Sequence, residues 1–315
     1  MKKSTAVALL VVLLASAPAL SATRISVATG PWGGVFFLVG TSLAHLLSKH
    51  VHNATAVAEP VTGSAHGLEL VDKGEATLAL VSLSAAHFGV RGQREFTRKH
   101  DNVAFVMAAM DTGQSLVTLR DSGIKMFADV KDLRVAANTE SSKAQLLAAL
   151  KLYGVREKDV RLRIMSFAEQ LDALRDGTLE AGFIAISPYN RDVATFAAAQ
   201  PIRILGFDAA QAKAFAEPPF WTPVGIRAGT YPGQERDLIV PGAHTTLLAY
   251  KQADPALIYQ ITKAIIDHGK EFGDLHPGGR EFTAAKTRYF VDHHLVPVAF
   301  HPGAERYWRE TGVLK

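Results

Sequence analysis

The sequence predicts an α/β protein of two facing lobes, each a mainly parallel sheet flanked by helices, with two strands joining them. Three observations carry this. Short apolar runs rich in β-branched residues alternate with helical patterns along the chain. Residues 57–82 are echoed by residues 163–187. Each stretch runs strand, turn, helix, charge-free strand, serine, and the helices end in Asp72-Lys73-Gly74-Glu75 and Arg175-Asp176-Gly177-Thr178. Two copies are too few for a solenoid, and 315 residues suffice for two ordinary domains.

The elements follow in order. Residues 25–29 read as a strand with Ile25 and Val27 on one face. Gly30-Pro31-Trp32-Gly33-Gly34 breaks it, and the apolar spacing from Val35 predicts a helix over 35–50. A second strand at 54–60, a turn at Val61-Thr62-Gly63-Ser64, a helix at 65–73 stopped by Gly74, and a fully buried strand at 76–82 complete a parallel unit. Further strands are expected at 105–110 and, after Thr112-Gly113, at 115–120. The second lobe reads as strand 134–137, helix 143–153, strand 160–165, a Ser166-capped helix at 167–175, strand 181–186, helix 190–199 and strand 203–207. Residues 222–227 read as a crossing strand. Residues 238–250, a helix at 256–271 and the tail return to the first lobe. The expected organisation is a signal peptide at 1–22, a discontinuous first lobe at 23–114 and 228–315, and a second lobe at 115–227. Hinge strands are expected at about 115–120 and 222–227.

Composition narrows the function. Hydrophobic residues make up 48% and charged residues 20%, as in a globular protein. The net charge of +4 includes Lys2 and Lys3 of the leader, so the mature chain is nearly neutral. No basic stripe is interleaved with aromatics, which argues against nucleic acid. The leader has a Lys2-Lys3 n-region, an apolar run at 6–15 and small residues for cleavage near Ser21 or Ala22. The chain has no cysteine, which removes disulfides, thiolate zinc sites and thiol catalysis together. An exported, monomeric, periplasmic protein is the expectation.

Ligands in this architecture lie beyond the carboxyl ends of the strands. The turns there are Gly30–Gly34, Thr62-Gly63-Ser64, Ser82-Leu83-Ser84, Asn138–Ser142, Ser166 and Ser187–Asn190, most of them opening helices. Converging helix starts offer unpaired N–H groups and partial positive charge to a carboxylate or phosphate. Taken singly, each Ser or Thr is as well explained as an N-cap, and the two roles are compatible. Trp32 on its Gly/Pro turn is expected in the pocket, whereas Phe37 and Phe220 are expected in the core. Catalytic groups are scattered. There is no Gly-x-Ser-x-Gly elbow, no His-Glu-x-x-His helix, no phosphate loop and no Rossmann glycine spacing. His45, His50 and His52 do not share a helix face, so their spacing argues against a metal site. Neither a catalytic residue nor a cofactor is expected.

These features resemble the solute-binding proteins of tripartite ATP-independent periplasmic (TRAP) transporters, of the TAXI type. The resemblance spans about residues 24–314. It rests on Thr29-Gly30 with Gly33-Gly34-Val35-Phe36-Phe37, on Thr62-Gly63-Ser64, on GEATLALVS at 74–82 and DSGIKMFADVKDLRVA at 121–136. AGTYPGQERD at 228–237 and HPGAERYWRETG at 301–312 complete it. It implies a two-lobed, type II-like periplasmic-binding-protein fold that closes on a small organic acid or amino acid and delivers it to a membrane permease driven by an ion gradient. Binding roles carry over to Gly30, Trp32, Gly34, Phe36, Thr62, Gly63, Ser64, Ser82, Ser84, Thr139, Ser141 and Ser142, and further to Tyr189, Asn190 and Trp221. The chain departs from the family in having Ser82 and Ser84 where many members have Gln and Asp. It also has Asn138–Ser142 where many have Gly-Ser-Gly-Thr. A receptor reporting to a sensor kinase, or a secreted hydrolase on a similar fold, are the other readings.

Overall fold

The computed structural model describes residues 22–216 and 220–315; the expected signal peptide lies outside the described residues apart from Ala22. The first lobe opens with β1 (Thr23–Ala28), α1 (Val35–His50), β2 (Ala54–Glu59), α2 (Ser64–Asp72), β3 (Leu78–Ser82) and α3 (Leu83–Gly89). Val35, Val39, Leu43, Leu46 and Leu47 form the buried stripe of α1, a three-to-four spacing that seats the helix on the sheet. All five residues of β3 are buried, as expected of a strand covered on both faces.

The chain then runs through β4 (Val103–Leu119) into the second lobe: β5 (Arg134–Ala137), α4 (Glu140–Lys151), β6 (Arg161–Ile164), α5 (Phe167–Arg175), β7 (Ala181–Ser187), α6 (Arg191–Ala199), β8 (Ile202–Ile204), α7 (Ala209–Phe215) and β9 (Trp221–Ile226). It returns through β10 (Leu238–Tyr250) to α8 (Pro255–Asp267), α9 (Gly269–Leu275), α10 (Ala284–Asp292) and α11 (Pro302–Glu310). Among the described residues no helix is long and apolar enough to cross a membrane.

The main path of the sheet runs β2-β1-β3-β10-β4-β7-β5-β6. Within each lobe the βαβ units pair in parallel: β1 with β2 and β3, and β5 with β6 and β7. The antiparallel members are the two long strands. β4 pairs with β10 through its first half and with β7 and β8 through its second. β10 pairs with β9 over residues 238–243 and with β3 and β4 beyond. The two strands expected at 105–110 and 115–120 are therefore one strand of 17 residues. Thr112-Gly113 does not end it, because its neighbours change there while the backbone stays extended. Gly242 marks the corresponding point of β10. A Cβ there would lie 2.4 Å from Val224 and 2.5 Å from the Thr222 carbonyl, so only glycine fits.

The C-terminal tail is helical. His276 and His301 each open a helical turn in a His-Pro-Gly sequence. Each Nδ1 accepts the N–H of the glycine two residues on, at 3.0 and 3.2 Å, with proline at the first helical position. Burial pushes both imidazoles below their ordinary pKa, which favours the neutral ring that this acceptor role requires. The helix expected at 256–271 breaks at His268, whose φ of −109° and ψ of 24° leave the helical region.

Candidate functional site

A cavity of about 70 Å³ lies between the lobes, at the point where the long strands cross. Its first wall comes from the starts of α1 and α2: Pro31, Gly34, Val35 and Phe36, then Gly63 and Ser64. Both helices begin at a glycine with no side-chain cap, so no side chain occupies their leading N–H groups. Bulk is excluded at both. A Cβ on Gly34 would stand 3.0 Å from the Pro31 carbonyl and 3.3 Å from Phe167, and one on Gly63 would stand 3.3 Å from Thr139 of the opposite lobe. Ser82, at the end of β3, caps α3, and its backbone N–H donates to Ser64 Oγ at 3.1 Å.

The second wall is the start of α4 with Asn138, Thr139, Ser141, Ser142 and Gln145, joined by Phe167 of α5. Thr139 Oγ1 accepts the Ser142 N–H at 3.1 Å, an ordinary N-cap. Ser142 Oγ donates to Gln114 Oε1 at 2.8 Å, which ties α4 to the crossing strand. Two buried polar atoms of this wall have no partner: the Gln145 amide nitrogen and the Asn138 amide oxygen. Gln145 is only 1% exposed. A buried amide left unpaired costs about 1–3 kcal/mol, so a donor aimed at a cavity is informative. Trp221, Thr112, Ala185 and Ala243 close the remainder.

The described lining contains no acidic, basic or imidazole side chain. Charge begins at the adjoining hollow, where Arg94, Glu95 and Glu140 stand beside Ser84, Ser141 and Trp221. Arg94 lies over the Phe88 ring at 3.8 Å. A larger surface groove lined by Arg120, Lys125, Arg203 and Arg236 sits elsewhere. Two of its arginines hold the chain's own carbonyls, at Gly233 and Ile124, so the groove is less suited to a specific ligand.

Of the residues predicted from sequence, the structure brings Gly34, Phe36, Gly63, Ser64, Ser82, Thr139, Ser141, Ser142 and Trp221 together around the cavity. Ser84 lines the adjoining hollow and lies 3.3 Å from Ser82 Oγ. Five lie outside the lining. Gly30 packs on Phe36, where a Cβ would come within 2.7 Å. Trp32 is 72% exposed and leans on Phe37 in a tilted contact, ring centres 4.3 Å apart, because the turn carries it outward. Thr62 is exposed beside His66. Tyr189 stacks on Tyr231. Asn190 caps α6 and donates to the Ala185 carbonyl at 2.8 Å. Tyr231 fixes that corner, accepting the Asn190 N–H and donating to the Ile186 carbonyl, and burial raises its phenol pKa. Sequence reasoning missed Gln114 and Gln145. The first sits in a polar interruption of an otherwise apolar strand. The second is one turn into a helix, and only the absence of an apolar residue on the buried face marks it.

Residues 27–312 match the NMT1-like family, and the chain belongs to that family. Solved structures agree on the fold. PhnD1 from Prochlorococcus marinus, in complex with methylphosphonate, superposes with a TM-score of 0.56 at 9% identity, covering 93% of this chain and 99% of that one. The alkanesulfonate-binding protein SsuA from Xanthomonas axonopodis pv. citri, bound to MOPS, gives 0.54 at 15% identity over 91% and 83%. A putative L-cystine ABC transporter protein from Listeria monocytogenes gives 0.51 at 12% identity over 82% and 95%. At such identities the likeness establishes the two-lobed, mixed-sheet α/β architecture of periplasmic binding proteins.

Proposed function

We propose that this protein is an extracytoplasmic solute receptor that captures a small organic anion, a carboxylate or an amino acid, between its lobes and hands it to a TRAP-type permease. The observation that carries the reading is the pair of glycine-started helices, α1 and α2, whose uncapped N-termini face an uncharged cavity. Helix starts of this kind stabilise a partly buried anion by about 0.3–1 kcal/mol each, and up to about 2 in favourable geometry. Hydroxyls of Ser64, Ser141 and Ser142 and the free amide of Gln145 would complete its hydrogen bonds, while Phe36, Phe167 and Trp221 would hold its apolar body. The lining offers nucleophilic hydroxyls but no base to activate them, which favours binding without chemistry.

The choice of a TRAP permease rests on the sequence resemblance at 29–37, 62–64, 121–136 and 301–312. Delivery to an ABC permease is the second reading, favoured by the similar fold of the putative L-cystine ABC transporter protein from Listeria. The periplasmic location, removal of residues 1–22 and a monomeric state belong to the same proposal. So does the division into 23–114 with 228–315, and 115–227. Of the hinge strands expected at about 115–120 and 222–227, the first lies in β4; for the second, β10 would replace β9 as the flexing connection, since β4 and β10 both change partners at the cleft and β9, among the described residues, pairs with β10 alone.

A thermal-shift panel of dicarboxylates, keto acids and amino acids, with methylphosphonate and MOPS alongside, tests the ligand class. A true ligand raises Tm progressively with its concentration. A panel in which only compounds lacking a carboxylate, phosphonate or sulfonate group act would refute the anion reading.

A further inference from the structure

A second constellation lies away from the cavity lining. α1 ends in Lys49 and His50, and these meet the break between α8 and α9. His268 is the one residue separating those two helices, and Glu271 lies in the first turn of α9. The rings of His50 and His268 stack at 3.5 Å with an interplanar angle of 13°. His50 Nε2 is 2.8 Å from Glu271 Oε2, and Lys49 Nζ is 2.9 Å from Glu271 Oε1. One ligand atom from each of His50, His268 and Glu271 falls within 4.8 Å of the others. The partners come from chain positions 221 residues apart, which is why histidine spacing along α1 alone does not reveal them.

We propose that His50, His268 and Glu271 bind one divalent ion of borderline softness, Zn²⁺ in the first place, with water completing its coordination. Two imidazoles and one carboxylate are the donor set that suits Zn²⁺, and hard ions such as Mg²⁺ require more oxygen ligands. Ligand atoms around tetrahedral zinc stand about 3.3 Å apart, given bonds of about 2.0–2.1 Å. No pair therefore needs to close by more than about 1.5 Å; the His50 Nε2–Glu271 Oε2 pair, at 2.8 Å, must open by about 0.5 Å, and the two rings must turn out of their parallel stack to aim at one ion, all by side-chain rotation. The Glu271 carboxylate already gathers cationic and imidazole donors on both oxygens, Lys49 on Oε1 and His50 on Oε2. Binding would shift Lys49 off Oε1 or leave it on the oxygen the metal does not use. The ion would clamp the end of α1 to the α8–α9 break, joining the first and last thirds of the chain.

The test uses untagged, chelator-stripped protein titrated with Zn²⁺ by calorimetry and thermal melting. The expected result is one Zn²⁺ per chain, with Tm rising about 5 °C at a hundredfold excess over Kd and no response to Mg²⁺. His268→Ala and the near-isosteric Glu271→Gln should each weaken binding at least about thirtyfold, since losing even an outer-shell partner of a ligand typically costs about 10–100-fold. Glu271→Gln keeps the packing, so its metal-free melting temperature serves as the folding control. Absence of saturable binding up to about 100 µM Zn²⁺ would overturn the proposal. So would unchanged binding in both variants, which would assign the metal to other histidines, or an equal response to Mg²⁺.

Discussion

The two walls of the cleft are built from the same element, a helix start, and finish it in opposite ways. On the first lobe α1 and α2 begin at Gly34 and Gly63, which supply no cap. On the second lobe α4 begins at Thr139, whose hydroxyl already takes the Ser142 N–H, and Ser142 is itself tied to Gln114. Glycine leaves the helix's own N–H groups for a solute and lets it approach the backbone. A hydroxyl cap stabilises its helix and leaves side chains to make the contacts. The first wall is thus a backbone surface and the second a side-chain surface. The same substitution should act differently on the two.

The largest effect is expected at Gly63. Valine there places a Cβ 3.3 Å from Thr139 and further methyls beyond it, holding the lobes apart. Calorimetry with the best compound of the panel should show affinity down at least about a hundredfold, or about 2.7 kcal/mol. Melting should change little, because the residue is not in the core. Retained affinity would break the backbone half of the comparison.

A smaller effect is expected at Gln145. Gln145→Leu removes a buried amide nitrogen that has no protein partner. Affinity should fall about tenfold while the free protein melts at the same temperature or higher, since an unsatisfied donor has gone. A fall in stability with unchanged affinity would make Gln145 a structural group and remove the side-chain half.

Thr139→Ala should cost about 1 kcal/mol of stability through the lost cap, and Thr139→Ser should restore it. Denaturant unfolding reads both. If alanine instead abolishes binding without destabilising the fold, the cap reading of this wall is wrong.

The smallest effect is on pH. Neither described wall carries a titrating side chain, so affinity for a ligand of fixed charge should stay flat between about pH 5 and 8. Stability should not. His276 and His301 have pKa values depressed by burial in the folded protein. The unfolded chain therefore takes up protons first, and the stabilisation present above about pH 6.5 declines as pH falls. Melting curves across that range check the slope, and His301→Asn, which keeps a capping acceptor, should flatten it.

Much of the fold was legible because its signals are local. The charge-free run of β3, the Ser166 cap and the glycine stops at Gly74 and Gly177 each state their own structure. What was not legible depends on distant partners. The crossing at Asp111–Gln114 looks like a break between strands, because polar residues and a glycine interrupt an apolar run. Only the change of pairing from β10 to β7 shows it to be continuous. The turn at Gly30–Gly34 correctly marked a helix start. It said nothing of direction, and Gly33, at a φ of +73°, sends the backbone so that Trp32 faces solvent while Phe36 faces the cavity. The helix break at His268 is announced only by the Gly269 that follows it, a signal that the apolar spacing on either side outweighs.

The central claim is that backbone N–H groups at the starts of α1 and α2 receive the anionic end of the solute. Amide proton and nitrogen chemical shifts, followed while the protein is titrated with the compound of largest thermal shift, test it directly. The account predicts the greatest displacements at Val35, Phe36, Ser64 and Ala65, with lesser ones at Ser141 and Ser142, and the compound recovered unchanged. Undisturbed amides at both helix starts in the presence of saturating ligand would contradict it.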